Sequence, residues 1–92
     1  MNLKATFTIP HTVLSRLVGD ETVILELESG SYFGLDPVGA RMWELIGAGT
    51  TLGDLCEFII TDYEVDRVQL ERDVEALIAD LTNHRLITVK HG

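Results

Sequence analysis

Three histidines, one cysteine and fifteen carboxylates are the side chains with chemistry to offer in this chain. His11, His84 and His91 lie far apart, and none stands three or four residues from another histidine or from Cys56. A zinc site needs a tighter set of ligands, so these read as surface histidines and no metal is expected. Cys56 falls in the series Leu52, Leu55, Cys56, Ile59, Ile60, which is the apolar stripe of a helix. A thiol on that stripe is a small buried hydrophobe. A reactive thiol wants an electropositive, partly exposed setting. Glu71, Asp73, Glu75 and Asp80 spread around one helical segment and read as a solvated face. A glycosidase-like acid pair would need a cleft that a chain of 92 residues can hardly build. The glycines form neither G-x-x-x-x-G-K nor G-x-G-x-x-G, so no phosphate or dinucleotide loop is present. No catalytic set and no cofactor follow from these residues. Binding is the leading class of function, and a small enzyme has only the acidic residues in its favour.

The elements that must position any binding surface are strands first and helices later. Val13 to Val18 and Thr22 to Leu27 read as strands joined through the turn Gly19-Asp20. Glu28-Ser29-Gly30 makes a second turn, and Ser31 to Leu35 a third strand. The three would form an antiparallel meander. Asp36-Pro37 then opens a helix, as N-cap and first helical residue. That helix runs to about Ile46 with Ala40, Trp43 and Ile46 on its stripe, and Gly47 and Gly49 end it. Thr51 and Asp54 cap a second helix. Asp66 and Gln69 cap a third, whose core face is Leu70, Val74, Leu77, Ile78 and Leu81 and whose end falls near Asn83 or His84. Leu86 to Val89 is an apolar tail with the look of a final strand. The fold class is α+β, a single domain over residues 1–92.

Composition limits the partners. Seven basic against fifteen acidic residues leave a net charge of −8. Such a surface repels phosphate, so nucleic acid and anionic membranes are disfavoured. The lone cysteine precludes an internal disulfide, which fits a reducing cytoplasm. No apolar run approaches the ~20 residues that span a bilayer, and the N-terminus lacks the layout of a signal peptide.

Two surfaces remain. A meander leaves its outer strands with unpaired backbone groups, and such an edge accepts an added strand from another chain, or self-pairs into a homodimer. On the third strand Tyr32 and Gly34 share one face, and Ser31, Phe33 and Leu35 the other. Either that edge is open, or the N- or C-terminal segment covers it. The second surface is the third helix. Three helices beside a small sheet suggest a winged helix, and hence DNA binding or regulation as the alternative function. Against it, the segment from Asp66 to Arg85 is more acidic than basic.

The run Ser31-Tyr32-Phe33-Gly34-Leu35-Asp36-Pro37-Val38-Gly39-Ala40-Arg41-Met42-Trp43-Glu44-Leu45-Ile46 resembles the PqqD-like proteins. So does Glu71-Arg72-Asp73-Val74-Glu75-Ala76-Leu77-Ile78-Ala79-Asp80-Leu81, followed by Leu86-Ile87. The likeness extends over about Ile9 to Val89, carried by the order and spacing of these motifs. It implies a winged helix-turn-helix-like fold of three strands and three helices, and a recognition element for ribosomally made, modified peptides. The leader segment of a precursor would add as a strand along Ser31, Tyr32, Phe33, Gly34 and Leu35 and pack against the third helix. There the flank Asp73, Ala76 and Asp80, beside Leu77, is expected to face it; the other flank is Glu71, Glu75 and Thr82. Ala76 would leave room for a partner side chain. Asp73 and Asp80 would either meet polar or basic leader groups, or stay solvated or act as caps. The resemblance also implies a partner that performs the chemistry: a radical-SAM protein, a leader protease or a cyclase. The Tyr-Phe-Gly-Leu-Asp run is closer to the stand-alone proteins of lasso-type clusters than to those of quinone cofactor biosynthesis. Arg85 stands where the family usually has Gly, so a left-handed cap is expected on Asn83 or not at all.

Overall fold

The protein's structure, a computed structural model, describes residues 2–91. Its strands are β1 (Thr6–Thr8), β2 (Val13–Val18), β3 (Glu21–Glu26), β4 (Tyr32–Leu35) and β5 (Thr88–Lys90). Its helices, α1 (Pro37–Gly47), α2 (Leu52–Asp62) and α3 (Arg67–Asn83), lie between β4 and β5. The architecture is α+β, and β2, β3 and β4 form the expected antiparallel meander in that order. Gly19 and Gly30 both take positive φ in the two turns, where glycine carries no steric cost. The second strand pairs one residue earlier than its pattern suggested, so Leu27 lies in the turn, 53% exposed.

Register decides which face of the meander is buried. Ile24 sits opposite Phe33, and Thr22 opposite Leu35. Ile24 is fully buried, Leu35 nearly so and Phe33 partly, so this face packs on the helices. Leu14, Leu25 and Tyr32 form a row on the other face. Glu26 is a buried carboxylate on the inner face. Its oxygens accept from the backbone N–H of Ser29 (2.8 Å) and Glu28 (3.1 Å), which fixes the turn into β4.

The helices start where their caps dictate. Asp36 accepts from Gly39 N–H at 2.7 Å, Thr51 from Asp54 at 3.2 Å and Asp66 from Gln69 at 3.1 Å. α1 buries Met42, Trp43, Leu45 and Ile46, a broader stripe than Ala40, Trp43 and Ile46, because sheet and α2 both pack on it. α2 buries Leu52, Leu55, Cys56 and Ile59. On α3 only Leu70, Val74 and Leu81 are fully buried. Leu77 and Ile78 are half-buried, each beside a surface depression on opposite flanks of the helix.

Three further features depart from expectation. β1, which the sequence pattern did not show, pairs with β5 in a separate two-stranded ribbon, Phe7 opposite Val89. β5 itself begins at Thr88, because Leu86 and Ile87 are core residues that lead into it. The left-handed residue after α3 is Arg85 itself, with φ +61°, not Asn83. Its N–H donates to Thr82 O (3.0 Å) and that of Leu86 to Leu81 O (2.9 Å). Those are the two bonds of a Schellman motif, closed by burial of Leu81 and Leu86.

Candidate functional site

The outer edge of β4 is unpaired among the described residues, because the two chain ends pair with each other in the β1–β5 ribbon. The hydrogen-bond alternation shows which groups are free. Glu26 N–H donates to Ser31 O, while Leu27 N–H turns the other way, to Thr12 O. In this register Phe33 and Leu35 direct their backbone groups to β3. The N–H and C=O of Tyr32 and Gly34 therefore point outward from the sheet.

Beside this edge lies a groove of about 480 Å³ between β4 and α3. Phe33, Gly34 and Leu35 form one wall, and Gln69, Leu70, Asp73 and Leu77 the other. Val38, Gly39 and Met42 of α1 lie along it, with Asp36 before them, and Val65 closes it ahead of α3. Gly39 allows the first turn of α1 to sit close to β4: a β-carbon there would lie 3.3 Å from Leu35 Cδ2. The lining is apolar except at a few points. Asp36 is engaged as N-cap of α1. Asp73 stands exposed at the rim and accepts from Gln69 Nε2 at 2.9 Å. The groove thus suits apolar side chains inside and a hydrogen-bond donor at Asp73. At the far end of β4, Phe33 meets His84 edge-on, with ring centroids 5.4 Å apart.

Of the residues singled out from sequence, Phe33, Gly34, Leu35, Asp73 and Leu77 come together around this groove. Ser31 and Tyr32 do not line it. Ser31 borders a polar depression shared with His84 and Arg85. Tyr32 projects from the opposite face of the sheet, 78% exposed. Ala76 and Asp80 are exposed and also outside the lining, although α3 does turn the Asp73 side to β4. Asp80 serves the end of its helix, its carbonyl accepting from His84 N–H at 3.0 Å. The other flank, with Glu75 and Thr82, borders a depression against the β1–β5 ribbon. Val38, Met42 and Val65 also line the groove, although none lies on the stripe Ala40, Trp43 and Ile46. The i, i+4 spacing of Val38 and Met42 is the signal the sequence carries for them.

Cys56 is buried in the core, and burial, then the nearby Glu71 charge, push its thiol above the usual range. Among the described residues no group of three His, Cys, Asp or Glu is placed to hold a metal, and no helix is long and apolar enough to cross a membrane.

A family model described as coenzyme PQQ synthesis protein D (PqqD) matches residues 21–87. Two solved structures are similar over most of the chain. TbiB1 in complex with the TbiA(beta) leader peptide is 39% identical, with TM-score 0.79, the match covering 86% of this chain and 92% of that one. Lasso peptide synthetase B1 complexed with the leader peptide is 26% identical, with TM-score 0.81, over 89% of this chain and 96% of that one. No curated protein matches the chain.

Proposed function

The chain belongs to the PqqD family, and we propose that it binds the leader segment of a ribosomally made precursor peptide by strand addition to β4. The free edge of β4 beside an apolar groove carries this proposal. Two structural relatives that hold leader peptides support it. An extended peptide would pair with Tyr32 and Gly34 and send alternate side chains into the groove against Leu35, Met42, Leu70 and Leu77.

Magnitudes decide which contact matters most. Backbone hydrogen bonds contribute a net ~0.5–1.5 kcal/mol each. Ordering each peptide residue costs about 1–2 kcal/mol. Pairing alone therefore roughly cancels. Apolar side chains buried in the groove, at about 1.5–3 kcal/mol each, must supply the affinity. Backbone pairing sets register and direction, and the groove sets which peptide stays.

The module itself performs no chemistry. It presents the precursor to a modifying enzyme, such as a radical-SAM protein, a leader protease or a cyclase. The test is titration of the purified protein with leader peptides of ribosomally made precursors, the TbiA(beta) leader held by the 39%-identical relative first, followed by amide shifts. Saturable shifts at Tyr32, Gly34 and Leu77 are expected; a leader that binds without moving them would remove the site.

A further inference from the structure

Gly34 has no reason inside this chain to be glycine. Its φ is not among the positive ones. A β-carbon built there meets only Glu21 Oε1, at 3.0 Å, the tip of a flexible side chain. Glycine within a strand weakens it, and often marks a close approach by another chain. The position leaves a notch on the face of the sheet turned away from the helices. Tyr32 stands on one side of the notch, and Val23, the cross-strand partner of Gly34, on the other. Glu21 projects from the same face as Val23 and holds its carboxylate over the notch. Arg16, opposite Val23 on β2, is the nearest cation on that face by register, yet no ion pair joins it to Glu21 among the described residues.

We infer that this notch is a second recognition subsite, which takes a lysine or arginine side chain of the bound peptide. The inference rests on strand addition to β4. A strand paired with Gly34 places the peptide residue opposite it on this outer face. The methylene stem of a long basic residue crosses Gly34, where no side chain blocks it, and lies along Val23. Its charged end reaches the Glu21 carboxylate, with the Tyr32 ring beside it. An apolar side chain would instead take water from an unpaired carboxylate, which is unfavourable. The inward groove reads apolar shape, and the outer notch reads positive charge.

The test pans a randomised peptide library against the wild-type protein and against Glu21→Lys. Wild type is expected to enrich peptides in which a lysine or arginine is flanked by apolar residues. Glu21→Lys is expected to exchange that basic residue for Asp or Glu. For one enriched peptide, Glu21→Gln should weaken binding about five- to tenfold, the size of one partly exposed ion pair with a ring contact. Gly34→Val should weaken it further by filling the notch. Should Glu21→Lys fail to fold, the near-isosteric Glu21→Gln decides. Enriched peptides that protect the Tyr32 and Gly34 amides but show no basic preference would overturn the subsite and leave strand addition standing. Absence of any peptide that protects those amides would overturn strand addition, and the subsite with it.

Discussion

Arg85 holds a conformation that glycine adopts freely, at φ +61°. The left-handed region costs an L-residue about 1–2 kcal/mol. Arg85→Gly should therefore stabilise the fold by about 1 kcal/mol, raising Tm by roughly 4–8 °C. Urea unfolding checks this; unchanged or lower stability would show that the arginine side chain offsets its own strain. Glu26 gives a pH prediction. The N–H groups of Ser29, then Glu28, hold its carboxyl below the usual carboxylate range. A depressed folded pKa contributes stability that is complete above the unfolded value and is lost as pH falls through the folded one. Thermal melts from neutral pH into acid should thus lose stability in wild type, and Glu26→Gln should flatten that loss. An equal slope in both proteins would rule the contact out as a source of acid sensitivity. Neither residue was legible from sequence in this role. The pattern marks Glu26 as one more strand position, and with arginine at 85 in place of glycine a left-handed cap is expected on Asn83 or not at all.

At the scale of elements, periodicity and caps were enough for the meander and for all three helix starts, because those signals are local. Asp36, Thr51 and Asp66 each accept the bond their position implied. The two-stranded ribbon was not legible: β1 has three residues, and its pairing with β5 spans almost the entire chain. Whether the β4 edge is open depended on that ribbon, so the sequence left it undecided. The division of α3 into flanks was legible in part, since Leu77 and Ile78 both fit a core stripe and only packing turns them to different depressions. This asymmetry can be tested. Leu77→Lys should reduce peptide affinity at least tenfold with the fold intact by circular dichroism, because it places a charge in the apolar groove. Ala79→Lys, on the far flank, should bind as wild type does. Equal losses in both would mean that α3 contributes only stability.

For the molecule as a whole, the chain ends act as a clasp opposite the candidate site. Ala5 O and Leu3 O accept from Leu52 and Gly53 N–H, both at 2.9 Å, so the N-terminal segment satisfies the start of α2. Phe7, opposite Val89 in the ribbon, is buried in the hydrophobic core. Phe7→Ala should cost about 3–4 kcal/mol in urea unfolding. A domain of this size typically has ~5–10 kcal/mol, so the variant should remain folded and bind peptide unchanged. Lost affinity at full folding would link the clasp to the groove. The acidic surface, with net charge −8, suits a partner that brings positive charge, which is also what the Glu21 notch calls for. Strand addition to β4 is read from amide hydrogen exchange of the protein with and without a bound leader peptide. Tyr32 and Gly34, whose N–H groups face outward, should exchange quickly in the free protein and become protected on binding. Phe33 and Leu35, already bonded to β3, should change little. Binding that leaves Tyr32 and Gly34 unprotected would exclude strand addition at β4.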